Sequence, residues 1–162
     1  MHLMAATVDE AVAHLITGAK DFSGAEVETT SELIPGETGV YTVWSGADLL
    51  YVGCVVKKAS ETSNPQADGI KGRLRTQSRA KRINSVVALR VCDRFIVPEL
   101  SPRQLEGLRT GATDLDALTA HWMRENLRYK VVHTASGDLA REVEALLRRD
   151  SGPLGPPLLN PS

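Results

Sequence analysis

Two short runs, GVYTVW at residues 39–44 and LLYVGC at residues 49–54, joined by Ser45-Gly46-Ala47-Asp48, decide how this chain folds. Both are rich in valine, leucine and aromatic residues, and the joint holds turn formers, so they predict an antiparallel hairpin. Two of the chain's three tyrosines, Tyr41 and Tyr51, lie on it. Directly opposed residues of an antiparallel pair share a face. Opposing 41 with 51 therefore brings both phenols to one face, whereas opposing 44 with 49 sends them to opposite faces. The sequence leaves both registers open. It also leaves open whether the tyrosines are core residues or reactive ones, since a phenol passes a proton to or from water and nearby cations favour the phenolate.

Around the hairpin the pattern is mixed. Thr7-Val-Asp-Glu10 has the form of a capping box, and Val8, Val12, Leu15 and Ile16 follow at helical spacing, predicting a helix over 8–20. Residues 21–38 are polar and end in Pro35-Gly36, and residues 57–68 read as a polar loop. Gly69–Arg82 has helical composition. Val86–Val97, dense in valine and isoleucine, predicts a strand. Ser101–Leu108 and Asp114–Arg128 predict helices, Tyr129–Thr134 a strand and Leu139–Arg149 an amphipathic helix. Residues 152–162 hold four of the eight prolines. The order predicts an α/β or α+β domain with a small sheet.

At 162 residues there is room for one domain, and 42% apolar with 24% charged residues excludes a disordered or fibrous chain. The longest apolar run, Leu49–Val56, is far too short for a membrane span, and no secretory segment is expected. Two cysteines, Cys54 and Cys92, make no disulfide framework and predict packed thiols in a reduced, cytoplasmic setting. The net charge of −1 hides an asymmetry. Residues 1–38 carry seven acids against Lys20 alone, while the rest is basic by five charges. Only that later part suits a polyanion.

Three segments carry candidate chemistry. Lys71, Arg73, Arg75, Arg79, Lys81 and Arg82 place six cations in twelve residues with no acid. On a helix 71, 75, 79 and 82 share a face, while Arg73 and Gln77 share another. Such a run is either a solvated basic helix or a phosphate-binding one, for which arginine's planar fork is suited. The last helix offers Glu142 and Glu144 on opposite edges of its apolar stripe, and periodicity does not choose between them. The tail, ending Pro156-Pro157-Leu158-Leu159-Asn160, reads as a frayed terminus or as an extended ligand for an aromatic groove. His121 and Glu125, four apart, make a poor metal site, and no glycine-rich nucleotide loop is present.

GVY, then YVG ten residues on, an arginine in a basic helix, a late helical glutamate and a near-terminal asparagine together resemble the GIY-YIG nuclease family over roughly residues 36–160. ADGIKGRLRTQSRAKRI (67–83) is most similar to its restriction-endonuclease branch. The resemblance implies a three-stranded antiparallel sheet flanked by helices over 36–162, with residues 1–35 as an acidic helical extension. It implies Tyr41 as general base or water-positioning group, Tyr51 assisting at the phosphate, and Gly39 and Gly53 keeping the strand pair open. Arg73 would clamp the scissile phosphate. Glu144, favoured over Glu142 because V-E-A-L-L matches the family's run, would hold one Mg²⁺ or Mn²⁺. Asn160 would brace the site, with Lys71, Arg75, Arg79, Lys81 and Arg82 contacting DNA.

The chain departs from the family at Gln77, where histidine or tyrosine is usual, and at Cys54, where lysine or serine is common. The expected activity is metal-dependent hydrolysis of DNA phosphodiesters, in restriction or defence ahead of repair. Alternatives are a binding module that has lost turnover and a protein-interaction domain using the proline-rich tail. The N-terminal helix, whose apolar face needs cover, suits either packing on its own domain or a homodimer.

Overall fold

The structure is a computed structural model that describes residues 4–56, 69–149 and 154–160. The expected loop at 57–68 lies outside them. Among the described residues the sheet has five strands: β1 (Met4–Ala5), β2 (Phe22–Ser23), β3 (Gly39–Ser45), β4 (Asp48–Val55) and β5 (Leu127–Thr134). They run in the order β1-β5-β3-β4, with β2 also on β5. The strands β4, β3 and β5 pair antiparallel, as does β2 with β5, but β1 joins β5 in parallel. The expectation of three antiparallel strands is thus corrected to a five-stranded mixed sheet, because the N-terminal segment contributes two short strands to β5.

Among the described residues six α-helices cover it: α1 (Val8–Ala13), α2 (Gly69–Ser78), α3 (Val86–Val91), α4 (Pro102–Thr110), α5 (Leu115–Asn126) and α6 (Gly137–Arg148). Strand alternation sends Tyr41, Val43, Tyr129 and Val131 to one face, against Ile70 and Leu74 of α2, Val87 and Val91 of α3 and Met123 of α5. Val40, Val52 and Val132 go to the other, beneath Ala11 and Leu15 near α1 and Ala140, Val143 and Leu147 of α6. Each fully buried valine, leucine or isoleucine among them contributes roughly 1.5–3 kcal/mol.

The register resolves the two-tyrosine question by a route neither alternative foresaw. Trp44 does oppose Leu49, yet Val43 opposes Tyr51 and Tyr41 opposes Gly53, because the register shifts between Val43 and Trp44. Leu50 is the extra residue of a β-bulge, and it reverses the parity along the rest of β4. Both phenols therefore reach one face, with ring centroids 6.1 Å apart.

Residues 86–97 and the basic helix differ from expectation. The valine-rich stretch at 86–97 is not a strand but α3 followed by a π-turn (92–96) and a 3₁₀ turn. Ser85 caps it, accepting from the Ala88 N–H at 3.1 Å, and the buried positions 87, 88, 91 and 92 have helical spacing. The basic helix stops at Ser78 instead of Arg82, because Ala80 takes a left-handed conformation (φ 54) that turns the chain. Arg79, Lys81 and Arg82 therefore lie off α2, and the single basic face expected for 71, 75, 79 and 82 does not form.

The N-terminal segment is woven into the domain. Thr7 caps α1, accepting from the Glu10 N–H at 3.2 Å, while Glu10 accepts from the Ala6 N–H at 2.9 Å rather than from Thr7. The helix expected over 8–20 passes from α1 into a π-turn ending at Gly18. Ala11 and Leu15 are buried by the chain itself, covering the face on which the homodimer expectation rested. Among the described residues no helix is long and apolar enough to cross a membrane.

Residues 154–160 are docked. The Leu158 and Leu159 N–H groups donate to the Leu49 and Leu50 carbonyls at 3.2 and 2.7 Å, and Leu159 is buried. The tail thus sheathes β4, an edge strand whose unpaired backbone would otherwise invite aggregation.

Candidate active site

β4 borders a cleft of about 510 Å³ that both faces of the sheet help to build. Tyr41 and Tyr51 come from the face covered by α2, and so do Arg73 and Gln77 of α2 itself. Glu144 comes from α6 on the opposite face, and Gly53 and Cys54 line the cleft between them. Arg82, Ile83, Asn84, Ser85, Val86 and Leu89 form the rest of the wall.

Gly53 makes this arrangement possible. A Cβ there would come within 2.4 Å of the Tyr41 hydroxyl oxygen and 2.5 Å of its Cζ, so the ring occupies space that any side chain would fill. Gly39 plays a different part from the one expected. A Cβ on it would meet the Val132 carbonyl oxygen at 2.4 Å, so it permits close pairing with β5 and lies away from the cleft.

Tyr41 is buried, and the Gln77 Nε2 donates to its hydroxyl at 2.7 Å. Burial pushes the Tyr41 pKa well above the ordinary tyrosine value, aided by the neighbouring Tyr51; Arg73 and Gln77 oppose the shift without cancelling it. Tyr51, half-buried, is raised by burial and by Glu144, against Arg148 and Arg73. Both are neutral phenols at neutral pH. Gln77 is itself buried, and its Oε1 is unpaired among the described residues.

Glu144 accepts from the Cys54 thiol at 3.0 Å through Oε2, and its Oε1 lies 3.7 Å from Arg148 Nη1. Burial and this carboxylate push the Cys54 thiol up to about 12. Glu142 is exposed on the outer side of α6, so the structure places Glu144, not Glu142, in the cleft. Among the described residues no three His, Cys, Asp or Glu side chains cluster. Mg²⁺ keeps several waters and takes one or two carboxylates together with substrate phosphate. One carboxylate on an open polar cleft fits that ion, or Mn²⁺, in donor type and number.

Of the remaining expected residues Arg73 and Arg82 line the cleft, and the others are dispersed. Asn160 accepts from the Val52 N–H and donates to the Val52 carbonyl, both at 2.8 Å, pairing with β4 as a backbone strand would. It braces the strand between Tyr51 and Gly53 but lines a neighbouring hollow with Arg90 and Arg94. Arg75 forms a two-point ion pair with Glu28, and Arg82 pairs with Asp116 at 2.6 Å. Lys71, Arg79 and Lys81 do not line the cleft. Arg73, by contrast, is exposed and faces it. His121 and Glu125 form only an exposed pair 3.5 Å apart.

Sequence reading missed Cys54 as a partner of Glu144, and Arg148 beside it. The position of Cys54 directly after Tyr51-Val52-Gly53 was the available signal for the first, and the four-residue spacing from Glu144 for the second. Comparison of the chain with models of known protein families, with curated proteins and with solved structures gives no match in any of the three.

Proposed function

We propose that the chain is a phosphodiester hydrolase and, more narrowly, a metal-dependent endonuclease of the GIY-YIG type that cuts DNA in restriction or defence. The observation that carries this reading is the convergence of Tyr41, Tyr51, Arg73 and Glu144, distant in sequence, on one open cleft. Phosphodiester hydrolysis needs a positioned water and positive charge where the phosphoryl oxygens gain negative charge. Arg73 supplies a guanidinium fork for those oxygens. Tyr41, held by Gln77 and Gly53, orients water through its hydroxyl, and Tyr51 stacks on it within the influence of the Glu144 carboxylate. Glu144 would hold the divalent ion, which when bound supplies Lewis-acid stabilisation of the phosphoryl oxygens.

The test is nicking of a supercoiled plasmid in Mg²⁺ or Mn²⁺. Glu144→Gln, Arg73→Ala and Tyr41→Phe should each lower the rate by about 10²–10³. Cutting that survives all three variants would overturn the site as drawn.

A second reading, binding without turnover, is favoured by one observation: the partner of Tyr41 is Gln77, whose amide cannot carry a proton. Salt-dependent DNA binding without cleavage in any metal, with cutting gained in Gln77→His, would decide for it.

A further inference from the structure

One wall of the cleft is out of keeping with the rest. Ile83 is 89% exposed, Val86 50% and Leu89 41%, and all three line a cavity whose other residues are largely polar. Scattered apolar residues on a surface mean nothing, but several together beside a reactive cleft mark a contact site. Their placement follows from the local fold. The left-handed Ala80 reverses the chain after α2, the Asn84 N–H donates to the Lys81 carbonyl at 3.0 Å, and Arg82 is tied to Asp116. Ile83 stands at the tip of this closed turn, with Val86 and Leu89 of α3 behind it.

The surroundings identify the occupant. Arg79 and Lys81 lie exposed four and two residues before Ile83, and Arg90 and Arg94 lie exposed beyond Leu89, against Asp93 beside them, Asp116 on Arg82 and Glu144 in the cleft. An apolar point set in cationic ground suits a nucleic acid, whose bases are apolar on their faces and whose backbone is anionic. Proteins that insert apolar wedges between base steps pay unstacking energy and gain wrapped surface.

We propose that Ile83, backed by Val86 and Leu89, is a base-stack wedge, and that the substrate class is duplex DNA with an unstacked or extrahelical base beside the scissile phosphate. This rests on the nuclease reading and adds the structural feature the cleft selects. A base already out of the stack spares the unstacking cost, so such DNA binds more tightly.

The experiment uses the full chain and two fluorescein-labelled duplexes that differ by a single-base bulge. Anisotropy is read without divalent metal and cleavage with Mg²⁺. The bulged duplex should bind about tenfold or more tighter. Ile83→Ser should bring the ratio to within about twofold, whereas Arg73→Ala should weaken binding of both duplexes alike. Circular dichroism checks that the exposed-site variant is folded. No preference in the intact chain, or a ratio untouched by Ile83→Ser and Leu89→Ser, overturns the wedge, while continued metal-dependent plasmid nicking leaves the nuclease reading in place. Failure to bind or cut any DNA overturns both. Loss of a dimer in Ile83→Ser by light scattering, with the ratio unchanged, makes the patch a protein contact and also overturns the wedge.

Discussion

Gly53 and Tyr41 occupy each other's space, and neither is interpretable alone. Overpacking a filled site costs typically about 1–3 kcal/mol, and here the clash falls on a ring held by Gln77. Gly53→Ala should therefore lower stability by about that amount in urea denaturation and displace the Tyr41 hydroxyl, to which we assign the positioning of water. A variant with wild-type stability and nicking would show that Tyr41 is free to yield. The sequence displayed both tyrosines but hid the bulge at Leu50, because an inserted residue changes facing without any compositional sign. Tyr129 bears on stability instead. It stacks on Phe22 with centroids 6.0 Å apart, and burial raises its pKa from the ordinary 10.0. The folded chain then holds this proton more tightly than the unfolded one. Stability is complete below the unfolded value and falls as pH rises above it. Urea midpoints should decline above about pH 10, with Tyr41 contributing, and Tyr129→Phe should remove part of the decline. An unchanged alkaline limb in that variant would contradict the assignment.

The hairpin and α6 were legible because alternation and the 3.6-residue stripe each pointed to one element. Residues 86–97 misled because valine and isoleucine favour strands only weakly, and burial against neighbours overrides the preference. The deciding signals were Ser85 as a cap and the helical spacing of Val87, Ala88, Val91 and Cys92. As a helix this segment presents Val86 and Leu89 to the cleft. The tail is the other element that composition concealed. Its prolines suggested a loose end, yet Asn160 makes two hydrogen bonds to Val52. Each such bond is worth about 0.5–1.5 kcal/mol net, so Asn160→Ala should cost about 1–3 kcal/mol. Its effect on nicking should parallel the loss of folded protein. A much larger loss of activity at full stability would instead give Asn160 direct contact with substrate.

The charge asymmetry of the sequence becomes, in the folded molecule, a set of contacts between the acidic N-terminal segment and the basic remainder. Glu28 pairs with Arg75, and Asp21 and Glu26 flank Arg128 at 3.0 and 3.7 Å. Such exposed pairs contribute little to stability. The apolar contacts weigh more: Phe22 covers Tyr129, Leu15 and Ala11 fill the core beneath α6, and β1 and β2 pair with β5. A boundary at residue 35, natural from composition, therefore cuts through a shared core. A chain beginning at residue 36 should lose cooperative thermal unfolding and expose Tyr129, whereas neutralising the segment by Asp21→Asn, Glu26→Gln and Glu28→Gln together should leave the fold intact. The triple variant should also bind duplex DNA more tightly at low salt, with a steeper salt dependence, as cations are released from their acids. Should the shortened chain melt cooperatively near the full-length temperature, residues 1–35 would be an appendage, and the sheet's outer strands would be dispensable to the domain.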